Sequence, residues 1–506
     1  MLGMIRLLLA TFALAFTPHL SAQRATQYLT KTHWATPTVE HLIRTGVIDD
    51  PNPLTRPLLV GAVVAVLDSA RLDSLSGAVR STVESTRRGL AQEMSTVRVE
   101  LDAGVVAATD GRREPLREAG EGYVAAEGSI RPTAAFGPVA VSTKLYLSQR
   151  LKHDPDYTGN KDKWVLHRYT DAYVSLQTKY AQLFYGAVDR NWGPTGVPGV
   201  LVSSEPYSYD HFAARLGTKG VWLETLYTDL DTYRDASGNR IARHWVTHRI
   251  ALRPWPWLMA SANQATLWSG GGRGIELRWL NPLKLSRSSD LDEPNPPDSL
   301  NSVYGADLWL RLPKSIVFQG TFMADDFGFE FGSIAPARLA WTALLDVPLG
   351  AVSVRLGHTL VSNLTYRTPS GGVETIMRRG VGLGRNFSDY TVVYTQVSLL
   401  PAPSTVIVPE LMLLRQGEGD FREPFPELPA DDTPFIFEGV VENTLRIGLR
   451  AHATAFGHFE LGGHAGVHFV SNAGHVQGAS ETLFVGGIRA TVRWGTTVRL
   501  PTAGLR

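Results

Sequence analysis

From about Val97 onward, apolar and polar residues alternate with a period of two, the spacing at which successive strand side chains point to opposite faces. Phe459, Leu461, Gly463, Ala465, Val467 and Phe469 share one face, while His458, Glu460, Gly462, His464, Gly466 and His468 share the other. Leu445, Ile447, Leu449 and Ala451 oppose Glu442, Thr444, Arg446, Arg450 and His452. Leu308, Leu310 and Leu312 oppose Asp307, Trp309 and Arg311, and the same alternation marks Val139–Ser148 and Phe484–Trp494. Alternation alone also fits a soluble sheet with one wet face. Three features favour a membrane barrel: such strands continue for about four hundred residues without an intervening series of helices, they are often ten residues or longer, and aromatics end the apolar rows. At a tilt of about 45°, Phe459 and Phe469 lie roughly 23 Å apart along the barrel axis, close to the apolar band of an outer-membrane barrel. About 410 residues at roughly 22 per strand and connection predict about 18 strands, an even number as bacterial barrels require. The expected class is all-β, a transmembrane antiparallel barrel, located in the cell outer membrane and in contact with its lipid.

The residues before Val97 follow another rule. Arg6, the apolar run Leu7–Phe16 and the small residues Ser21 and Ala22 predict an export signal cleaved near Ala22–Gln23. Residues 33 to 95 read as helical. Thr36-Pro37 looks like an N-cap with Pro at the first helical position, and Gly46 a stop; Thr55-Arg56-Pro57 opens a second helix through Val66; a third runs from about Val79 to Met94. The predicted organisation is a signal peptide (1–22), a small periplasmic α-helical segment (23–96), read as a spacer or plug, and the barrel (97–506). Long loops are expected at Lys152–His167, Arg190–Tyr207, Leu285–Ser302, Thr368–Asn386 and Gln416–Pro434.

Charge and composition narrow the chemistry. Net charge is +1 and cysteine is absent, which argues against a nucleic-acid binder and excludes thiolate metal sites and Cys nucleophiles. By parity Arg243, Arg249, Arg253, Arg311, Arg355, Arg446, Arg450, Arg489 and Arg493 face the lumen. They fit either affinity for an acidic carbohydrate or other anion, or cross-strand pairing with acids such as Glu442 and Glu460. His458, His464 and His468 share a face but span about 33 Å, too far for one metal ion. Asp290, Asp292, Glu293 and Asp298 form an acidic loop without the pattern of an EF-hand. Gly270–Gly274 and Asp229, Asp231 and Asp235 ahead of Ser237-Gly238-Asn239 read as hairpin turns. There is no Gly-x-Ser-x-Gly and no His-Glu-x-x-His. No cofactor, metal or catalytic set is expected.

The segment Asp189-Arg190-Asn191-Trp192-Gly193-Pro194-Thr195-Gly196-Val197-Pro198-Gly199-Val200-Leu201-Val202-Ser203 is distinctive. Its glycines permit tight turns and its prolines stiffen them. Trp192 could stack on a sugar ring beside Arg190 and Asp189, or could anchor a loop folded into the pore. The segment resembles the Arg-x-Trp-Gly-Pro-Gly loop and Leu-x-x-Ser strand of the Wzi capsule-assembly family. Trp268, Gly270-Gly271-Gly272-Arg273-Gly274-Ile275-Glu276 and Leu280-Asn281-Pro282 resemble that family in order and spacing. Asn191 departs from it, standing where an aromatic residue is common. So does the end at Leu505-Arg506, where such barrels often finish on an aromatic. The resemblance implies a lectin-like outer-membrane barrel whose partner is surface or capsular polysaccharide, with Asp189, Arg190, Trp192, Trp268, Arg273 and Glu276 as candidate ligand-binding residues. The alternatives are a porin or transporter for anionic solutes and a barrel enzyme such as a lipid-modifying hydrolase.

Overall fold

A computed structural model describes residues 24–109, 112–113, 117–118, 121–234, 237–284, 297, 299–326, 337–369, 371–426 and 432–498. The proposed export signal, the acidic loop at Asp290–Asp298, Asp235 and the terminal Leu505-Arg506 lie outside them. Among the described residues, eighteen long strands close one antiparallel barrel. They are β1 (Val97–Ala108), β2 (Tyr123–Phe136), β3 (Val139–Ser148), β4 (His167–Gln177), β5 (Ala181–Val188) and β6 (Tyr209–Gly217). Then come β7 (Val221–Asp229), β8 (Arg240–Trp255), β9 (Leu258–Gly271), β10 (Ser299–Arg311), β11 (Val317–Asp326) and β12 (Arg338–Leu349). The last six are β13 (Val352–Val361), β14 (Tyr390–Ala402), β15 (Thr405–Gln416), β16 (Glu442–Ala455), β17 (Phe459–Ser471) and β18 (Ser480–Thr497). β18 pairs with β1 from Gly487↔Ala108 to Thr497↔Arg98, sealing the cylinder. Every second connection is a tight turn, such as 137–138, 256–257 and 403–404, and the others are longer. In bacterial barrels the short turns face the periplasm and the long loops the exterior.

Parity sorts the wall as the alternation predicts. Phe459, Phe469, Ile447, Phe484, Ile488 and Trp494 are exposed on the outside, where lipid would cover them. The lumenal arginines are buried or part-buried inside, because a cation facing mid-bilayer costs about 2–4 kcal/mol. Most take acidic partners: Arg249 with Glu224 at 2.6 Å, Arg355 with Asp346 at 2.7 Å, Arg489 with Glu127 at 2.8 Å and Arg493 with Glu460 at 2.9 Å. Glu442, named above as such a partner, instead accepts from the Gly474 amide. Arg446 pairs with Glu410 at 2.8 Å in a niche cut by two facing glycines, Gly448 and Gly466. A Cβ on Gly466 would sit 2.5 Å from the Arg446 guanidinium.

Among the described residues, three α-helices precede the barrel: α1 (Thr36–Arg44), α2 (Val60–Asp68) and α3 (Gly77–Glu93). α1 starts after Ala35, since the Thr36 hydroxyl donates to the Thr30 carbonyl and caps nothing, and it stops before Gly46 at φ 70°. Val79, Val83 and Leu90 of α3 pack with Val39, Leu42 and Val63 against Leu400, Val406 and Val408 of the inner wall. The Ser404 amide donates to Thr82 at 2.9 Å, so the helices seat on the short-turn end. The second helix differs from expectation. Thr55–Arg56 is a short strand and α2 begins only at Val60. The local Thr-x-Pro pattern is overridden because Thr55 and Arg56 find a backbone partner far along the chain, at Asn191–Trp192. Nor is Gly270–Gly274 a hairpin: β9 continues through Gly271 and the chain then enters a long connection.

Candidate functional site

The distinctive loop leaves β5 and turns into the lumen. Asn191–Trp192 forms an antiparallel pair with Thr55–Arg56, and Trp192 is bridged on its other edge to Val202. The Gly193 amide donates to the Leu54 carbonyl at 3.0 Å. Leu54 is itself fully buried among Trp222, Ala251, Met259 and Trp309 of the inner wall. Arg249 lies 4.6 Å from the Trp192 ring centroid and, while held by Glu224, donates to the Leu54 carbonyl at 3.2 Å. Trp192 is 3% exposed. In this arrangement its ring anchors the loop and offers no face for sugar stacking. Asn191, the departure from the family pattern, staples the loop: its carbonyl oxygen accepts from Gly199 at 2.7 Å and its amide donates to Val197 at 3.2 Å. A Cβ at Gly199 would overlap the carbonyl oxygens of Trp192 and Val202, so glycine is required there.

Asp189 and Arg190 hold the root of the loop. Asp189 accepts from the Lys31 amide at 2.6 Å, and its other oxygen is enclosed without a hydrogen-bond partner. Burial pushes its carboxyl up to about 7, against the opposing pull of Lys31. Arg190 donates to His211 at 3.0 Å and lies 4.9 Å from the Phe184 ring centroid. Other loops fold onto the same knot. Tyr366 donates to the Val200 carbonyl and the Ser203 amide to the Leu383 carbonyl at 2.8 Å. Trp192, Val200, Val202, Tyr366, Leu383 and Phe421 share one apolar cluster with inward residues such as Trp245, Leu267, Val303 and Met323. Part of the lumen is therefore a packed core.

The second group stands on the other side of the wall. Trp268 pairs in register with His244, whose parity is outward, opposite to that of Arg243 and Arg249. The segment after β9 folds over this outer face: the Trp279 carbonyl accepts from His248 at 2.9 Å, and Gln264 donates to the Lys284 carbonyl at 2.7 Å. Trp268, Trp279, Tyr227 and Val246 form its core, with Trp268 wholly buried. Glu276 ties the flap together, accepting from Arg273 at 2.8 Å and from Trp279 at 3.1 Å. Ile275, Leu277 and Leu283 are left exposed. The six candidates thus form two separate clusters, one inside the barrel and one outside.

Sequence reasoning did not point to a cavity inside the barrel. About 630 Å³ of space runs along the inner wall from Tyr123 and Ala108, at the loop rim, down to α1. Arg44, Arg450, His464 and Arg489 line it. Arg450 and Arg489 face the lumen and yet are 43% and 36% exposed, so their exposure is to this pit. Glycines open the space: Gly462 is opposite Arg489 and Gly487 opposite His464. Parity signals Arg450 and Arg489, whereas nothing local marks Arg44, which comes from a helix before the barrel. Among the described residues, no group of three or more His, Asp or Glu residues could hold a metal ion.

No protein-family model matches this chain, and no curated protein sequence does. Among solved structures, the fold is similar to that of Wzi from Escherichia coli, described as an outer-membrane protein involved in group 1 capsule assembly and a carbohydrate-binding β-barrel. The TM-score is 0.61 at 12% identity, over 94% of this chain and 100% of that one. OprD of Pseudomonas aeruginosa gives 0.45 at 12% identity, over 80% of this chain and 96% of that one. OccAB2 of Acinetobacter baumannii gives 0.46 at 10% identity, over 79% and 98%.

Proposed function

We propose that this outer-membrane-type barrel, which shares the fold of Wzi, binds surface polysaccharide and helps to retain it at the cell. The observation that carries this reading is the lumen. Among the described residues, the Asp189–Ser203 loop meets the N-terminal segment inside the barrel, and beside them lies a pit lined by charged and apolar side chains. Such an interior suits binding better than bulk passage of solutes. The volume lies within the range of ligand pockets, about 300–1,000 Å³. Asp189, Arg190 and Trp192 serve this role by holding the loop that borders the pit. Arg273 and Glu276, with Trp268 beneath them, serve it from the outer flap at the loop end. The test compares surface-bound with released polysaccharide in cells carrying the wild-type chain, no chain, or Trp192→Ala at equal barrel abundance. Retention should fall without the chain and fall partly with Trp192→Ala. Equal retention in all three would overturn the proposal. The competing reading, an anion pore, requires measurable conductance in planar bilayers, carried mainly by the anion as read from the reversal potential in a salt gradient.

A further inference from the structure

The helical floor of the pit contains a guanidinium with nothing to bind. Arg44 is the last residue of α1, and its Nε and Nη1 are enclosed without a hydrogen-bond partner. A buried donor left unsatisfied costs about 1–3 kcal/mol, and more when charged. The acids nearby are engaged elsewhere. Glu40, one turn earlier on α1, is held by Arg56 at 2.6 Å. Asp346 is held by Arg355 through both oxygens, at 2.7 and 2.8 Å. Glu410 is shared between Arg446 at 2.8 Å and Arg450 at 3.0 Å. Arg56 is also held by Asp50 at 2.9 Å, so five cations, Arg44, Arg56, Arg355, Arg446 and Arg450, meet four carboxylates, Glu40, Asp50, Asp346 and Glu410, and one positive charge is left over. Burial, and then the neighbouring Arg355, push the Arg44 guanidinium down to about 10, which still leaves it charged at neutral pH.

We infer that the pit is an anion site, in which Arg44 and Arg450 hold the carboxylate or phosphate of an acidic sugar. The sugar half of this inference rests on the polysaccharide reading above; the anion half does not. Guanidinium groups match both anions through paired hydrogen bonds. Above them the wall is open at Gly462, opposite Arg489, where a Cβ would meet nothing nearer than His452 at 3.8 Å, which leaves room for a sugar ring beside Arg489. Arg150 and Tyr123 stand at the entrance. Arg150 donates to the Tyr146 hydroxyl at 2.9 Å and remains a further cation for a chain carrying more than one acidic residue.

Isothermal titration of the full chain, refolded in detergent, tests this with sodium glucuronate, glucose and inorganic phosphate. Glucuronate should bind and glucose should bind at least tenfold more weakly. Arg44→Gln and Arg450→Gln should each weaken glucuronate at least tenfold, whereas Arg311→Gln, on the far side beside Asp49, should not. Phosphate binding as tightly as glucuronate would keep the anion site and overturn its assignment to sugars. A second readout separates ligand binding from a structural role. Because Arg44 is unpaired, Arg44→Gln should raise the urea midpoint of the ligand-free protein. A lowered midpoint with unchanged glucuronate affinity overturns the proposal, as does wild-type protein that binds no anion. Should cells lacking the chain retain polysaccharide normally while the purified protein still binds glucuronate, the cellular reading falls and the site stands.

Discussion

The Arg446 niche shows how much one missing side chain decides. Its guanidinium is fully buried, pairs with Glu410 and hydrogen-bonds His468 at 2.7 Å. It fits only because Gly448 and Gly466 face each other across the strand pair. Gly466→Val should expel the guanidinium and strand Glu410, with a loss of about 3–5 kcal/mol in urea unfolding. Gly462→Ala, whose Cβ would meet nothing nearer than His452 at 3.8 Å, should cost far less. Asp189 makes a prediction in pH. Its carboxyl is pushed up to about 7 by burial, against 3.8 in the free side chain. The folded state therefore holds a proton that the unfolded state releases, so this group's stabilising contribution is full below pH 4 and is lost as pH rises to 7. Asp189→Asn should remove that slope and be the more stable form at pH 8, by up to about 4 kcal/mol. Chemical unfolding at pH 4, 6 and 8 measures it; a constant difference across the three would contradict the burial argument.

At the scale of elements, the strands were legible, and the pairing of the inward loop with the N-terminal segment was not. Period two survives in the sequence because lipid on one side and lumen on the other impose opposite chemistry on alternate residues. The end of α1 was legible through Gly46. Thr55–Arg56 was misread as a helix start because its partner, Asn191–Trp192, is remote in sequence and a two-residue strand leaves no period. Of the candidate site, the importance of the Asp189–Ser203 loop could be read from its Gly and Pro spacing, and of the two roles the sequence offered for Trp192, sugar stacking or anchoring an inward loop, the structure shows the anchor. The outer flap did leave a signal. His244, His248 and Gln264 are polar at positions whose parity is outward, which requires a cover. Trp279 is part of that cover at 3% exposure. Trp279→Ala should destabilise the barrel by about 3–5 kcal/mol without preventing insertion. Heat-modifiable gel mobility and urea midpoints together test this.

At the scale of the molecule, the interior behaves as a small protein core set inside a membrane barrel. Leu54 is locked among Trp222, Met259 and Trp309, and the loops carrying Trp192, Tyr366 and Phe421 share the cluster above. The intact chain should give low conductance in planar bilayers, and deletion of residues 192–202 should raise it several-fold; equal conductance would mean that the loop does not obstruct the lumen. The pairing of Asn191–Trp192 with Thr55–Arg56 has one more consequence. The loop is tethered at one rim and the helices are seated at the other, and two short strands join them mid-way. The two ends of the cylinder are mechanically coupled through its axis as well as around its circumference. A tug on the outer loop is borne by Thr55 and passed to the helices behind it, a tie-rod that leaves the wall unstrained.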